Sequence, residues 1–417
     1  MERPIVALVA GINAAPGRIM GHAGAFTILG EPSARTKIAA LEAAGVTMVN
    51  HPEEFGEALK ARLEARTGKR PSVAAGSSPF NPVGQRRAMH TAGRRVLASG
   101  SQSAMRQGQR RHLYISEIQA FNMLRERGFN AAEYSGRGTR KFLAVGVDRS
   151  SRMPCVIASL STDADTMHQD AKRFPFDYRV GIDGLRVNRI AEHLRLGHGA
   201  VDSLRKVVRG LAALFYEKEA FLLETKIVER LGEVKIVNAY FGFDDAAFRT
   251  VGRQADIRDL RNLAAEDPVE VEAEKNGIVY IRLAGEGTIG TLVNGAGLAM
   301  NTIDGLADLG GRSANFLDTG GLATSQTVKK SFEAILRDPR VRVVFVNIFG
   351  GLTLGDMIAR GILLAFKEVA VQVPVVVRIR GTNEGEAQEL IAESGLPLYA
   401  FDCFRDAAAK AIELARR

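Results

Sequence analysis

The chain has 417 residues, 46% hydrophobic and 25% charged, the composition of an ordinary globular protein with room for two or three cores. No apolar run approaches the roughly 18–20 residues of a bilayer-crossing helix, and Cys155 and Cys403 stand far apart in no motif, which excludes a disulfide framework and a C-x-x-C metal site. The net charge of +9 arises from ten basic residues between Ala65 and Ser116, a stretch without Asp or Glu. The remainder is near neutral, so a folded nucleic-acid-binding face is not expected.

The chain opens with "PIVALVAG", an apolar run ending in glycine that reads as a buried parallel strand. A loop follows, "GRIMGHAGAF", in which Gly21, Ala23, Gly24 and Ala25 leave little bulk around His22. Such a stretch lets a large group approach the imidazole and lets backbone N–H groups face it. Ser33 is placed to cap a helix over "SARTKIAALEAAG", with Gly45 as its stop. "VTMVN" predicts a second strand and "PEEFGEALKARLEAR" a second helix, which makes residues 1–66 half of a doubly wound unit. Two strands bury too little for independence, so this piece needs another surface to lean on.

Residues 67–112 are rich in Gly, Ser, Pro and Arg and poor in large apolar side chains, a composition that predicts a linker. From Met89 on, the same stretch has the Arg-rich, acid-free character of a mitochondrial presequence, although it lies inside the chain. Ser116 is a candidate cap for a helix over "SEIQAFNMLRERG". "RKFLAVGVDRSSRMPCVIASLS" predicts two strands around a polar turn, "VDSLRKVVRGLAALFYEKEA" an amphipathic helix, and "AFLLETKIV" and "EVKIVNAYF" two more strands. These describe an α+β domain over 113–262.

From 263 to 417 strands alternate with helices and glycine turns: "TIGTLVNGAGLAM", "SANFLDTGG", "RVVFVNIFGG", "VPVVVRIRGT" and "LPLYAFD". This is the pattern of an α/β fold with an open, doubly wound parallel sheet. Ligands of such sheets bind at the carboxyl ends of the strands. "VNIFGGLTLGD" has the right form, with a strand ending at Asn347 and Gly350 and Gly351 opening the next helix. Gly295-x-Gly297 with Asp318 about twenty residues on imitates a dinucleotide fingerprint, but Met300 stands where the third glycine belongs.

Two blocks carry a family resemblance. "PGRIMGHAGAF…KIAALEAAGV" resembles the carboxy-terminal stretch of the succinyl-CoA synthetase alpha subunit around its phosphorylated histidine. Residues 113–417 resemble the beta subunit of that enzyme, through "FLAVGVDRSSRMPCVIAS", "VNGAGLAMNTID", "GGRSANFLDTGG", "VNIFGG" and "VPVVVRIRGTN". The resemblance implies a truncated ATP-grasp-like domain before a flavodoxin-like CoA-ligase domain. It also implies interconversion of succinate, CoA and ATP or GTP with succinyl-CoA, nucleoside diphosphate and phosphate. On this reading His22 carries the phosphoryl group and Glu224 orients it. Asn294, Gly350, Gly351, Leu352 and Thr353 bind phosphate or substrate. An alpha subunit or a second copy supplies CoA binding, and the mitochondrial matrix is the expected compartment, the cytoplasm if the Arg-rich segment is only a linker.

The same resemblance exposes departures. "NMLRERGFNAAEYSGRGTRKFLAVG" passes almost directly from the first helix to a much later strand, so most of the family's nucleotide-grasping lobe is absent. The positions of its two magnesium ligands fall at Lys226 and Asn238, both poor ligands for Mg²⁺. Leu354 and Gly355 stand where the family usually carries arginine and cysteine, and Arg380 where it carries an acid. Two alternatives therefore accompany the ligase reading: a catalytically impaired paralogue that assembles with or regulates the authentic enzyme, and a ligase acting on malate or citrate.

Overall fold

The computed structural model describes residues 4–14, 20, 33–67, 113–136, 138–148, 151–163, 166–167, 170–244, 253–261 and 266–417. His22 and the segment 68–112 lie outside the described residues.

In the carboxy-terminal half, strands β9 (Val279–Arg282), β10 (Ile289–Val293), β11 (Asn315–Asp318), β12 (Val343–Gly350), β13 (Val375–Gly381) and β14 (Leu398–Ala400) form one sheet. Its order is β14-β13-β12-β10-β11-β9, parallel throughout except for β9, which pairs antiparallel with β11 at the edge. Alternation along the strands sends side chains to two faces. Val344 and Val346 join Val328, Phe332, Ile335, Ile358 and Ile362 in one cluster, under helices Ser325–Leu336 and Gly355–Glu368. Val343 and Phe345 join Leu306, Phe404 and Ala408 in another, under helices Ala296–Asp308 and Phe404–Ala415. Apolar residues on both faces are what a near-continuous run such as "VVFVNIF" demands, and the expected doubly wound sheet is present.

One boundary is corrected. The strand read as ending at Asn347 continues to Gly350, and the next helix begins at Gly355, not at Gly350 and Gly351. The cause is pairing in register up to Gly350↔Gly381. Gly381 has φ +128°, and a Cβ there would stand 2.0 Å from the Gly350 carbonyl oxygen, so glycine alone lets the two strands stay together to their tips.

The middle of the chain builds an antiparallel sheet, ordered β3 (Leu113–Tyr114), β8 (Glu233–Phe243), β7 (Ala220–Arg230), β4 (Lys141–Asp148), β5 (Met153–Ser159), β6 (Lys172–Pro175). Helices Glu117–Glu126, Gly184–His193 and Val201–Glu217 cover one face through a large core that includes Leu143, Val156, Leu204, Leu211 and Phe241. Ser116 caps the first of these helices as expected, and with Gln119 it closes a full capping box.

The amino-terminal piece has the expected β-α-β-α order. Strands β1 (Val6–Ala7) and β2 (Thr47–Met48) pair parallel, and Ser33 caps helix Ala34–Ala43 by accepting from the Thr36 N–H. That helix has no buried residue. The piece leans instead on the parallel sheet: Met20, 1% exposed, is buried in a cluster with Ile281, Val293, Ala296, Ala299, Ile303 and Phe316. Burying a methionine side chain stabilises such a contact by about 1.5–3 kcal/mol.

Candidate functional site

The carboxyl tips of β10, β11, β12 and β13 lie side by side, and their loops are tied to one another by side chains. Asn294, just after β10, donates from Nδ2 to the Phe349 carbonyl (3.1 Å) and to Thr353 Oγ1 (2.9 Å). Its Oδ1 accepts from the Phe349 N–H at 3.0 Å. Thr353, 2% exposed, donates in turn to the Gly321 carbonyl at 3.1 Å. Thr382 Oγ1 donates to the Gly351 carbonyl at 3.0 Å. The loops after four strands thus form one rim, and Asn294 and Thr353 are its fasteners.

Helices start from this rim without side-chain caps. Ala296–Asp308 follows Gly295, whose φ of +94° suits glycine, and Gly355–Glu368 follows Leu354; neither N-cap side chain accepts from the helix. Helix Ser325–Leu336, by contrast, is capped by Thr324. β10 and β12 are adjacent parallel strands, so two uncapped helix N-termini converge there. Together they carry a partial positive charge and N–H groups suited to a phosphate or carboxylate.

Charged side chains at the rim are already engaged. Asp318 accepts from the Gly295 N–H (2.6 Å) and the Gly320 N–H (2.7 Å). The residue that imitated a ribose-binding acid is thus used to shape the turn. Arg380 lies between Glu384 (3.4 Å) and Asp402 (3.2 Å), which neutralise it. The Leu352 side chain is 78% exposed and apolar, so only its backbone can contact an anion. An anion at this rim would be held chiefly by backbone and by dipoles.

Beneath the rim runs a buried polar line that sequence reasoning missed. Thr302 Oγ1 receives a hydrogen bond from Asn347 Nδ2 (2.8 Å), and Asn347 Oδ1 accepts from Arg378 Nη1 (3.0 Å). Arg378, 1% exposed, also pairs with Glu53 of the amino-terminal piece. Glu53 caps the helix Phe404–Ala415 by accepting from the Phe404 N–H at 3.0 Å. Next to it, His51 stacks on Phe404 with ring centroids 4.0 Å apart. Burial first, with Arg378 adding to it and Glu53 opposing both, holds the His51 imidazole down at about 4. An arginine closing the apolar run "VPVVV" is the signal the sequence offers for this line.

Glu224, Lys226 and Asn238 lie on the antiparallel sheet, a different sheet from the rim. Glu224 is in register with Ala144 and Tyr240, and Lys226 with Phe142 and Asn238, so the three share one face. Asn238 Nδ2 donates to Glu117 Oε1 at 2.5 Å. A lysine ammonium has no lone pair to offer a cation, and no group of three or more His, Cys, Asp or Glu suited to a metal occurs among the described residues. The donor set at this face does not fit magnesium. A cavity of about 810 Å³, lined by Phe176, Ile182, Arg209, Phe215 and Tyr216, also belongs to this half and not to the rim.

The CoA-ligase family model matches residues 292–412, the span of the rim. The mitochondrial succinate–CoA ligase [ADP-forming] subunit beta of Neurospora crassa is 37% identical over 284 residues, 66% of this chain and 62% of that protein. The succinate–CoA ligase [ADP-forming] subunit beta of Paraburkholderia phytofirmans is 38% identical over 290 residues, 67% of this chain and 73% of that protein. A solved ATP citrate lyase from Methanothrix soehngenii, in complex with citrate and coenzyme A, superposes with a TM-score of 0.52 at 14% identity, over 71% of this chain and 81% of that one; this likeness shows the fold. The chain thus spans less than two thirds of the fungal relative. On the identity and coverage of the beta-subunit relatives, it belongs to the succinate–CoA ligase beta-subunit family, a family of acid–thiol ligases.

Proposed function

We propose that the chain works as a succinate–CoA ligase component whose rim of β10–β13 holds a carboxylate or phosphate, and that His22 carries a phosphoryl group to it. The observation that supports this most is Met20. Its side chain is buried with Val293 and Ala296, which flank the Asn294–Gly295 turn. Two residues of chain span at most about 7 Å, a reach compatible with a histidine two positions after Met20 working at the uncapped helix ends. An imidazole is nucleophilic near neutral pH and leaves readily once phosphorylated, which suits it to a relay.

In this reading the uncapped N-termini of Ala296–Asp308 and Gly355–Glu368 stabilise the charge that passes between histidine and acid. Gly350, Gly351 and the Leu352 backbone present their N–H groups to the anion, and Asn294 and Thr353 keep the loops of the rim in register. Glu224 serves as the orienting acid if the antiparallel sheet is brought against His22. ATP or GTP, when bound, supplies the phosphoryl group. CoA is bound by an alpha-type subunit or a second copy, and the matrix of the mitochondrion is the working compartment. The chain divides accordingly: 1–66 alpha-like, 67–112 linker, 113–262 a shortened ATP-grasp-like unit, and 263–417 the CoA-ligase unit.

One observation favours a second reading. Lys226 faces Asn238 where the family resemblance places metal ligands, which suits a paralogue that keeps the fold and assembles with the active enzyme. Incubation with radiolabelled ATP and Mg²⁺, with and without a complete alpha subunit, separates the two. Acid-labile, base-stable label that is lost in His22→Ala supports the relay. No label under any condition, with tight binding to the alpha subunit, supports the assembly partner.

A further inference from the structure

Asp304 lies in the helix Ala296–Asp308 and is 5% exposed, between Ile303 and Leu306 of two apolar clusters. A carboxylate in such a place is costly unless hydrogen bonds surround it. It accepts four. Gly11 N (2.7 Å) and Ile12 N (3.0 Å) donate to Oδ2, and Asn13 N (2.7 Å) and Asn13 Nδ2 (2.9 Å) donate to Oδ1. All four come from one short turn more than 290 positions away in sequence. Three successive N–H groups converging on one carboxylate make a small anion nest, here used by the protein on itself. None of these bonds helps the carboxy-terminal half to fold alone; they serve only to hold the amino-terminal piece.

That piece needs holding. Its sheet has two strands of two residues each, and its first helix buries nothing. Among the described residues its other attachments include Met20, the Asn50 carbonyl receiving Asn301 Nδ2 at 2.6 Å, His51 stacked on Phe404, and Glu53 at Arg378 and Phe404. The Asp304 turn and Met20 are the last two described anchors before residue 22, and both rest on the same helix, Ala296–Asp308, whose N-terminus opens on the rim.

We propose that Asp304 is a positioning residue that seats the histidine-bearing segment against the rim, an inference that rests on the relay reading for its purpose and on the hydrogen bonds for its mechanism. Hydrogen exchange on the full chain tests the mechanism. In Asp304→Ala the amides of residues 11–13 should exchange ten-fold faster or more, while the sheet strands β10 and β12 keep their protection. Asp304→Asn, which keeps shape but loses charge, should give an intermediate increase. Unchanged exchange at 11–13 in a folded Asp304→Ala protein would overturn the proposal. Cross-linking tests the purpose. With Cys403→Ala as background, a disulfide between His22→Cys and Asn294→Cys should form when Asp304 is present and fall at least ten-fold in Asp304→Ala. Absence of the cross-link even with Asp304 in place overturns the seating and tells against the relay as well, whereas a cross-link that forms equally in both backgrounds overturns the role of Asp304 and leaves the relay standing.

Discussion

His51 makes docking of the amino-terminal piece sensitive to pH, with a magnitude that follows from its surroundings. The ring is buried against Phe404, its Nδ1 accepts from the Glu53 N–H at 3.4 Å, and Nε2 has no hydrogen-bond partner among the described residues. Burial lowers its pKa from 6.5 to about 4. A released His51 therefore takes a proton that the docked one refuses, and falling pH favours release. Docking is at full strength above the free value, weakens as pH falls through 6.5, and reaches its floor below about 4. At pH 5 the loss is about 2 kcal/mol, roughly thirty-fold in the docked-to-released ratio, and the full span is about 3 kcal/mol. Hydrogen exchange of residues 11–13 and 47–54 at pH 8 and pH 5, corrected for intrinsic rates, reads this directly. His51→Phe keeps the stack and should flatten the difference. A wild-type ratio that does not change between the two pH values, or the same change in His51→Phe, would refute the reasoning.

Other expectations are sharper in sign than in size. Thr353→Val removes the donor to Gly321 and the acceptor for Asn294, and should lower stability by about 1–3 kcal/mol in thermal or denaturant unfolding. It should also weaken binding of succinate or phosphate measured by calorimetry. Gly381→Ala drives a Cβ into the Gly350 carbonyl, so the tips of β12 and β13 must separate; unfolding should be easier by roughly 1–3 kcal/mol. Glu53→Gln weakens the charged bond to Arg378 and should cost about 1.5–3 kcal/mol, read as faster exchange at the Phe404 amide. Lys226→Asn combined with Asn238→Asp should create Mn²⁺ binding, seen by electron paramagnetic resonance, that the parent chain lacks.

Local features were legible because their partners are close in sequence. Ser33 and Ser116 sit three residues from the N–H groups they cap, and the glycine turns stand directly after apolar runs. The end of β12 was misread because its extension to Gly350 depends on Gly381, a neighbour only in space. Asp304 and Arg378 were missed for the same reason: each looks like an isolated charge in an apolar run until Gly11–Asn13 and Glu53 arrive from the other end of the chain. The rim itself could be placed by topology, since parallel strands followed by glycines leave few other sites. That Asp318 would shape a turn and Arg380 would be neutralised could not, because both depend on which loops meet.

The attachment of residues 4–67 to the parallel sheet has a consequence for assembly. It is made of ordinary non-covalent contacts between parts that are joined only through residues 68–112. Contacts a chain makes with itself can be made equally well by two copies that trade the segment, with nothing lost at either seat. For any such exchange dilution favours the closed monomer and high concentration the reciprocal pair, so size-exclusion across a concentration series reads whether the segment trades between copies.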